Sequence, residues 1–191
     1  MAIILKRSVY FKITRTGSNW VRNALYRACE VVAEIKGTTE PSVMILPTET
    51  KSFTFIRHPV TWHQSMYSLY TKRVDSKNMS KGFSNMLSTV SLVHFRAFVE
   101  TFLQYNRYYR NYIDGIARTS TFVGRQENLA DDLVDILRKS GENFDERVLR
   151  ETTPSNVSSK RRRKKEDSMA VKLITDAYSD LMEKYGYTDD Y

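Results

Sequence analysis

At 191 residues with 41% hydrophobic side chains, the chain is long enough to bury a real core, which excludes a wholly disordered protein. Its formal charge of +8 is concentrated, because Lys160-Arg161-Arg162-Arg163-Lys164-Lys165 supplies six of it, so composition gives no broad basic face for nucleic acid. The lone cysteine, Cys29, excludes an internal disulfide, and the apolar run Ala2-Ile3-Ile4-Leu5 is too short for a signal-peptide core or a membrane span; a soluble cytoplasmic protein without a membrane span is expected.

Ser8 to Thr14 is rich in β-branched and aromatic residues and reads as a strand. From Trp20 the apolar positions become Trp20, Val21, Ala24, Leu25 and Ala28, a helical period. Between them lies Arg15-Thr16-Gly17-Ser18-Asn19. A helix begins there with unsatisfied N–H groups and a positive terminus, Gly17 permits close backbone approach, and Arg15 adds charge, so the turn is a candidate anion cradle. The ordinary alternative is a strand-to-helix turn capped by Ser18 or Asn19. The second Gly and the Gly-Lys-Ser/Thr ending of Walker A are both missing.

Residues 31 to 52 read as loops with one short strand. Lys51 to Arg57 reads as a strand stopped at His58-Pro59, followed by a helix with Trp62, Met66, Leu69 and Tyr70 on one side. The polar stretch at about 74–90 reads as an excursion or lid. A helix follows through Leu92, Phe95, Val99, Phe102 and Leu103, then a strand from Thr119 to Gly124. Asn128 is expected to cap a helix with Leu129, Leu133, Ile136 and Leu137 inside. A last helix carries Ala170, Leu173, Ile174, Ala177, Tyr178, Leu181 and Tyr185 on one stripe and stops at Gly186. No linker divides the chain, so one α/β domain over 1–191 is expected, a three-layer sandwich with a central, mostly parallel sheet and a P-loop-like phosphate-binding loop.

Thr14-Arg15-Thr16-Gly17-Ser18-Asn19-Trp20 resembles the 5′-phosphosulfate-binding loop of the sulfotransferases, commonly Pro-Lys-Ser-Gly-Thr-Thr-Trp. Gly and Trp match outright, and Arg15 stands where the family usually has its catalytic Lys. Arg57 at a strand end and Ser65 eight residues later resemble the family's pair for the nucleotide 3′-phosphate. Val123 to Leu129, and Pro154 to Ser158 with Tyr185-Gly186-Tyr187, resemble two further family segments in the same order.

The resemblance implies a sulfotransferase that moves a sulfuryl group from 3′-phosphoadenosine 5′-phosphosulfate (PAPS) to a hydroxyl or amine of a small-molecule or carbohydrate acceptor, leaving 3′-phosphoadenosine 5′-phosphate (PAP), with no metal. It assigns Thr16, Gly17, Ser18, Asn19 and Trp20 to the 5′-phosphate and adenine, Arg57 and Ser65 to the 3′-phosphate, and Arg15 to the leaving group. Lys12 would point elsewhere unless the strand ended early. The family often closes a basic loop over the 3′-phosphate, which implicates the 160–165 loop through Arg161 and Arg162. Some members place a Glu before the Arg57-type strand as general base; here Glu34, Glu40 and Glu49 are the candidates, with Glu34 and Glu49 carried forward.

Two other classes compete. A P-loop-like nucleotide kinase lacks its Gly-Lys-Ser/Thr and an evident magnesium carboxylate. A non-enzymatic nucleic-acid or anion binder rests on residues 160 to 165, with Tyr105, Tyr108, Tyr109 and Tyr112 interleaved by Arg107 and Arg110. His58, His63 and His94 do not form metal-ligand spacing with Cys29 or one another.

Overall fold

The computed structural model describes residues 1–37, 47–75, 92, 94–105, 109–153 and 167–188. Glu40, the run Val43 to Leu46, most of the 74–90 excursion, Pro154 to Ser158 and the 160–165 loop with Arg161 and Arg162 lie outside them. By internal packing the chain divides into two units, Met1–Arg57 with Ile113–Ser158, and His58–Tyr112 with Ser159–Tyr191.

The first unit is built on a five-stranded mixed sheet. Its strands are β1 (Ala2–Ile4), β2 (Ser8–Phe11), β3 (Ala33–Ile35), β4 (Lys51–Ile56) and β5 (Phe122–Arg125), in the order β3-β1-β2-β4-β5. Strands β2, β4 and β5 run parallel, in a register that sets Phe11 beside Thr54 and Ile56 beside Arg125. The apolar run near the start, too short for a membrane, is β1, which pairs antiparallel with β2 through a turn closed by the Leu5 amide donating to the Ser8 carbonyl at 2.8 Å. At the edge, β3 pairs antiparallel with β1.

Alternation along the strands sends Ile3, Tyr10, Phe53 and Phe55 to one face. There they meet α1 (Ser18–Ala28), α5 (Leu129–Lys139) and α6 (Glu146–Arg150), numbered in chain order with α2 to α4 described below. The predicted stripe Trp20, Val21, Ala24, Leu25 and Ala28 is buried throughout. Each large apolar side chain so buried contributes roughly 1.5–3 kcal/mol, which makes this face the anchor of α1. A short helix, α4 (Gly115–Thr119), packs on β4 through its own buried Ile116 and Ala117.

Two local expectations need correction. The strand expected over Ser8 to Thr14, β2, stops at Phe11, because after the Lys12 amide donates to the Met1 carbonyl at 3.1 Å the ladder ends and the chain turns. Asn128 makes no side-chain cap on α5; a 3₁₀ turn, Gln126–Asn128, leads into the helix, and the Asp132 carboxylate instead accepts from the Arg125 amide at 2.6 Å.

In the second unit α2 (Pro59–Asp75), α3 (Phe95–Tyr105) and α7 (Ser168–Lys184) pack on one another around Trp62, His63, Met66, Tyr70, Phe98, Phe102, Ile174 and Tyr178. His94 starts α3, its Nδ1 accepting from the Ala97 amide at 3.1 Å. Arg110, considered above as a base-stacking residue, is committed to α7: its guanidinium donates to both Asp180 oxygens, at 2.8 and 2.9 Å, and to the Ala177 carbonyl. None of the described helices is long and apolar enough to cross a membrane.

Candidate functional site

The segment Lys12–Gly17 joins the end of β2 to α1 at the carboxyl ends of the parallel strands, the edge where ligands of α/β sheets bind. Two residues in it have positive φ, Arg15 at 69° and Gly17 at 74°. A left-handed arginine costs on the order of 1–2 kcal/mol, so the surrounding contacts must hold it. Thr16 helps: it is buried, and its Oγ1 donates back to the Ile13 carbonyl at 3.0 Å, which closes the turn and spends the hydroxyl. Gly17 caps α1 with its own carbonyl, which accepts from the Trp20 and Val21 amides. The positive φ favours glycine there, and a Cβ would meet the Leu129 Cδ1 at the start of α5, so a larger residue also has to displace that side chain. The amides of Ser18 and Asn19 have no acceptor among the described residues.

Cationic side chains gather at this edge. Arg57 follows β4 directly, and its guanidinium donates to the Arg15 carbonyl at 3.5 Å. Arg125 ends β5, in register with Ile56. Lys12 reaches the first turn of α1, where its Nζ donates to Asn19 Oδ1 at 3.1 Å. Burial and the neighbouring Arg22 guanidinium push the Lys12 ammonium below its ordinary range, with Glu34 pulling the other way.

Glu34 is near this group but is already engaged. It lies on β3, its side chain 14% exposed, and one carboxylate oxygen accepts from Arg22 Nε and Nη2 at 3.2 and 3.0 Å and from the Tyr26 hydroxyl at 2.6 Å. The Tyr26 and Arg22 hydrogen bonds hold the carboxyl below the usual range, which makes it a weak base. Glu49 is exposed in the turn before β4, at the opposite end of that strand from Arg57; six strand residues separate the two ends by roughly 20 Å. The structure therefore brings Arg15, Thr16, Gly17, Ser18, Asn19 and Arg57 together and leaves Glu49 apart.

Trp20 serves the core. Its ring is buried, and the indole Nε1–H donates to the Thr152 carbonyl at 2.8 Å, tying α1 to the end of α6. Ser65 is half-buried on α2 in the second unit. The His58 ring, also in that unit, is buried; Nδ1 accepts from the Val60 amide and Nε2–H donates to the Thr188 carbonyl, so it is a helix-start residue.

Sequence reasoning set Lys12 aside, yet a signal was there. Lys12 shares the parity of Tyr10, whose face is covered by α1, so a strand continued past Phe11 would have driven an ammonium into the core. Arg22 and Tyr26 gave no local sign, since their partner Glu34 lies twelve and eight residues away.

A cleft of about 800 Å³ lined by Lys6, Arg7, Glu30, Glu142 and neighbours opens at the far end of β2. Lys6 pairs with Glu30 there at 2.6 Å, the Arg7 backbone amide donates to Glu142 at 2.8 Å, and the cleft contains no residue of the turn. No group of three or more His, Cys, Asp or Glu among the described residues is placed to hold a metal ion. No protein-family model, curated protein or solved structure matches the chain.

Proposed function

We propose that this protein is a PAPS-dependent sulfotransferase whose 5′-phosphosulfate site is the turn from Lys12 to Asn19. The observation that carries the reading is the approach of Arg57 to the Arg15 carbonyl: two segments that resemble separate halves of a nucleotide site meet at the carboxyl ends of adjacent parallel strands. The amides of Ser18 and Asn19 and the positive end of α1 suit a phosphate, and Arg57 suits a second one as a permanently charged planar fork.

In the reaction the S–O bond to the 5′-phosphate breaks with its electron pair left on the phosphate oxygen. A new bond forms from sulfur to the acceptor oxygen or nitrogen, whose proton passes to solvent water. Positive charge placed beforehand at the departing oxygen lowers the barrier without reorganisation, and Arg15 is assigned there. The resemblance assigns Ser65 to the 3′-phosphate, and the variant Ser65→Ala tests that assignment separately. Release of PAP from PAPS by the purified protein, assayed with hydroxyl and amine acceptors and compared with phosphoryl transfer from ATP and magnesium, tests the function. Transfer from ATP with none from PAPS would refute it.

A further inference from the structure

We infer that Lys12 is the titratable anion ligand of the turn, donating to the 5′-phosphate end of the nucleotide in place of the contact it now makes with Asn19. The inference rests on the nucleotide reading above for the ligand's identity, but its evidence is separate. Lys12 is half-buried, and among the described residues its ammonium has one hydrogen bond, to an amide oxygen, and no carboxylate within ion-pairing distance. A neutral acceptor does not compensate a partly desolvated cation, whereas an anion at the same place does.

The charges around Lys12 come from three elements. Arg22 on α1 repels it, Glu34 on β3 attracts it, and the amino group of Met1 before β1 adds further repulsion. Glu34 accepts from Arg22 and Tyr26, so the carboxylate that attracts Lys12 is held on other donors. The ammonium is left for a ligand. Arg15 and Lys12 then differ in kind. A guanidinium keeps its proton throughout the accessible pH range, while this ammonium, lowered by burial and by Arg22, loses its proton at a lower pH than a solvent-exposed lysine does.

The test is calorimetric affinity for PAP, adenosine 5′-monophosphate, adenosine 3′-monophosphate and inorganic pyrophosphate, measured on the full chain and on Lys12→Met and Lys12→Arg at neutral and alkaline pH. Lys12→Met should weaken PAP and the 5′-monophosphate by roughly tenfold or more, as loss of a charge-assisted hydrogen bond does, and change the 3′-monophosphate less than about twofold. Lys12→Arg should keep the neutral-pH affinity and flatten the alkaline decline of the parent. If the parent ignores PAP but binds pyrophosphate through Lys12, the nucleotide reading fails and the Lys12 assignment stands. Lys12→Met affinities within twofold for every anion, an equal loss for both monophosphates, or a parent that binds none of these anions would overturn it.

Discussion

The Arg57 guanidinium lies 3.5 Å from the carbonyl oxygen of Arg15, although 42 residues separate them in the chain. This contact places a fixed positive charge against a turn whose backbone is itself in a left-handed conformation. Electrostatics and backbone shape are thereby coupled at one sheet edge. Arg57 supports the turn by donating to its carbonyl oxygen.

Gly17 is the residue on which the turn depends for its shape. Gly17→Ala should destabilise the protein by about 2 kcal/mol or more, from a positive φ and from the collision with Leu129 together. Denaturant unfolding of Gly17→Ala, Leu129→Ala and the double variant separates the two causes. The double variant should recover the steric part and keep the backbone part, so a fully additive cycle would contradict the contact.

Glu34 should behave as an ion-pair partner of Arg22. Because its folded-state pKa is lowered, its stabilising contribution is full above the unfolded value of about 4.3 and disappears as pH falls through the folded value. Carboxyl NMR titration should give a midpoint below about 4.3; one at or above it contradicts the pairing. In a sulfuryl-transfer assay Glu34→Gln should retain activity within about tenfold, whereas removal of a general base costs roughly 10²- to 10⁴-fold.

His63 gives the second unit its own acid sensitivity. The ring is fully buried among Trp62, Phe102 and Tyr178, Nδ1–H donates to the Pro59 carbonyl at 2.8 Å, and burial lowers its pKa to about 4. The unfolded chain takes up the proton first, near pH 6.5, so stability should fall as pH drops from about 6.5 to about 4, by up to about 3 kcal/mol. Thermal unfolding followed across that window measures it. His63→Leu should flatten the profile, and an unchanged slope in that variant would assign the loss elsewhere.

Much of the scaffold was legible because it is written in local periodicity. The α1 stripe is buried throughout, β4 is buried from Ser52 to Ile56, and α7 buries Ala170, Ile174, Tyr178 and Leu181 of its stripe while Leu173 and Ala177 stay half-buried. The elements missed depend on non-local pairing: Ala2-Ile3-Ile4 becomes a strand only because β2 and β3 lie on either side of it. The end of β2 was misplaced for a related reason. Ile13 is apolar and fully buried, so the pattern ran on, while the turn is set by Thr16 bonding back to Ile13 and by a left-handed Arg15, a conformation that no arginine advertises. At the site, Gly17 and Arg57 carried recognisable signals. The engagement of Glu34 and the approach of Lys12 to Asn19 exist only once β3 and α1 are packed beside one another.

The most direct test is a thermal-shift comparison of PAP with adenosine 5′-monophosphate and ATP, repeated on Arg57→Ala. PAP alone among them carries a 3′-phosphate for Arg57, so at concentrations about a hundredfold above its dissociation constant it should stabilise the parent by about 2.7 kcal/mol, well beyond the other two. Arg57→Ala should erase most of that difference while leaving the response to the 5′-monophosphate. Equal shifts with PAP and the 5′-monophosphate in the parent, or a PAP preference that survives in Arg57→Ala, would contradict the account.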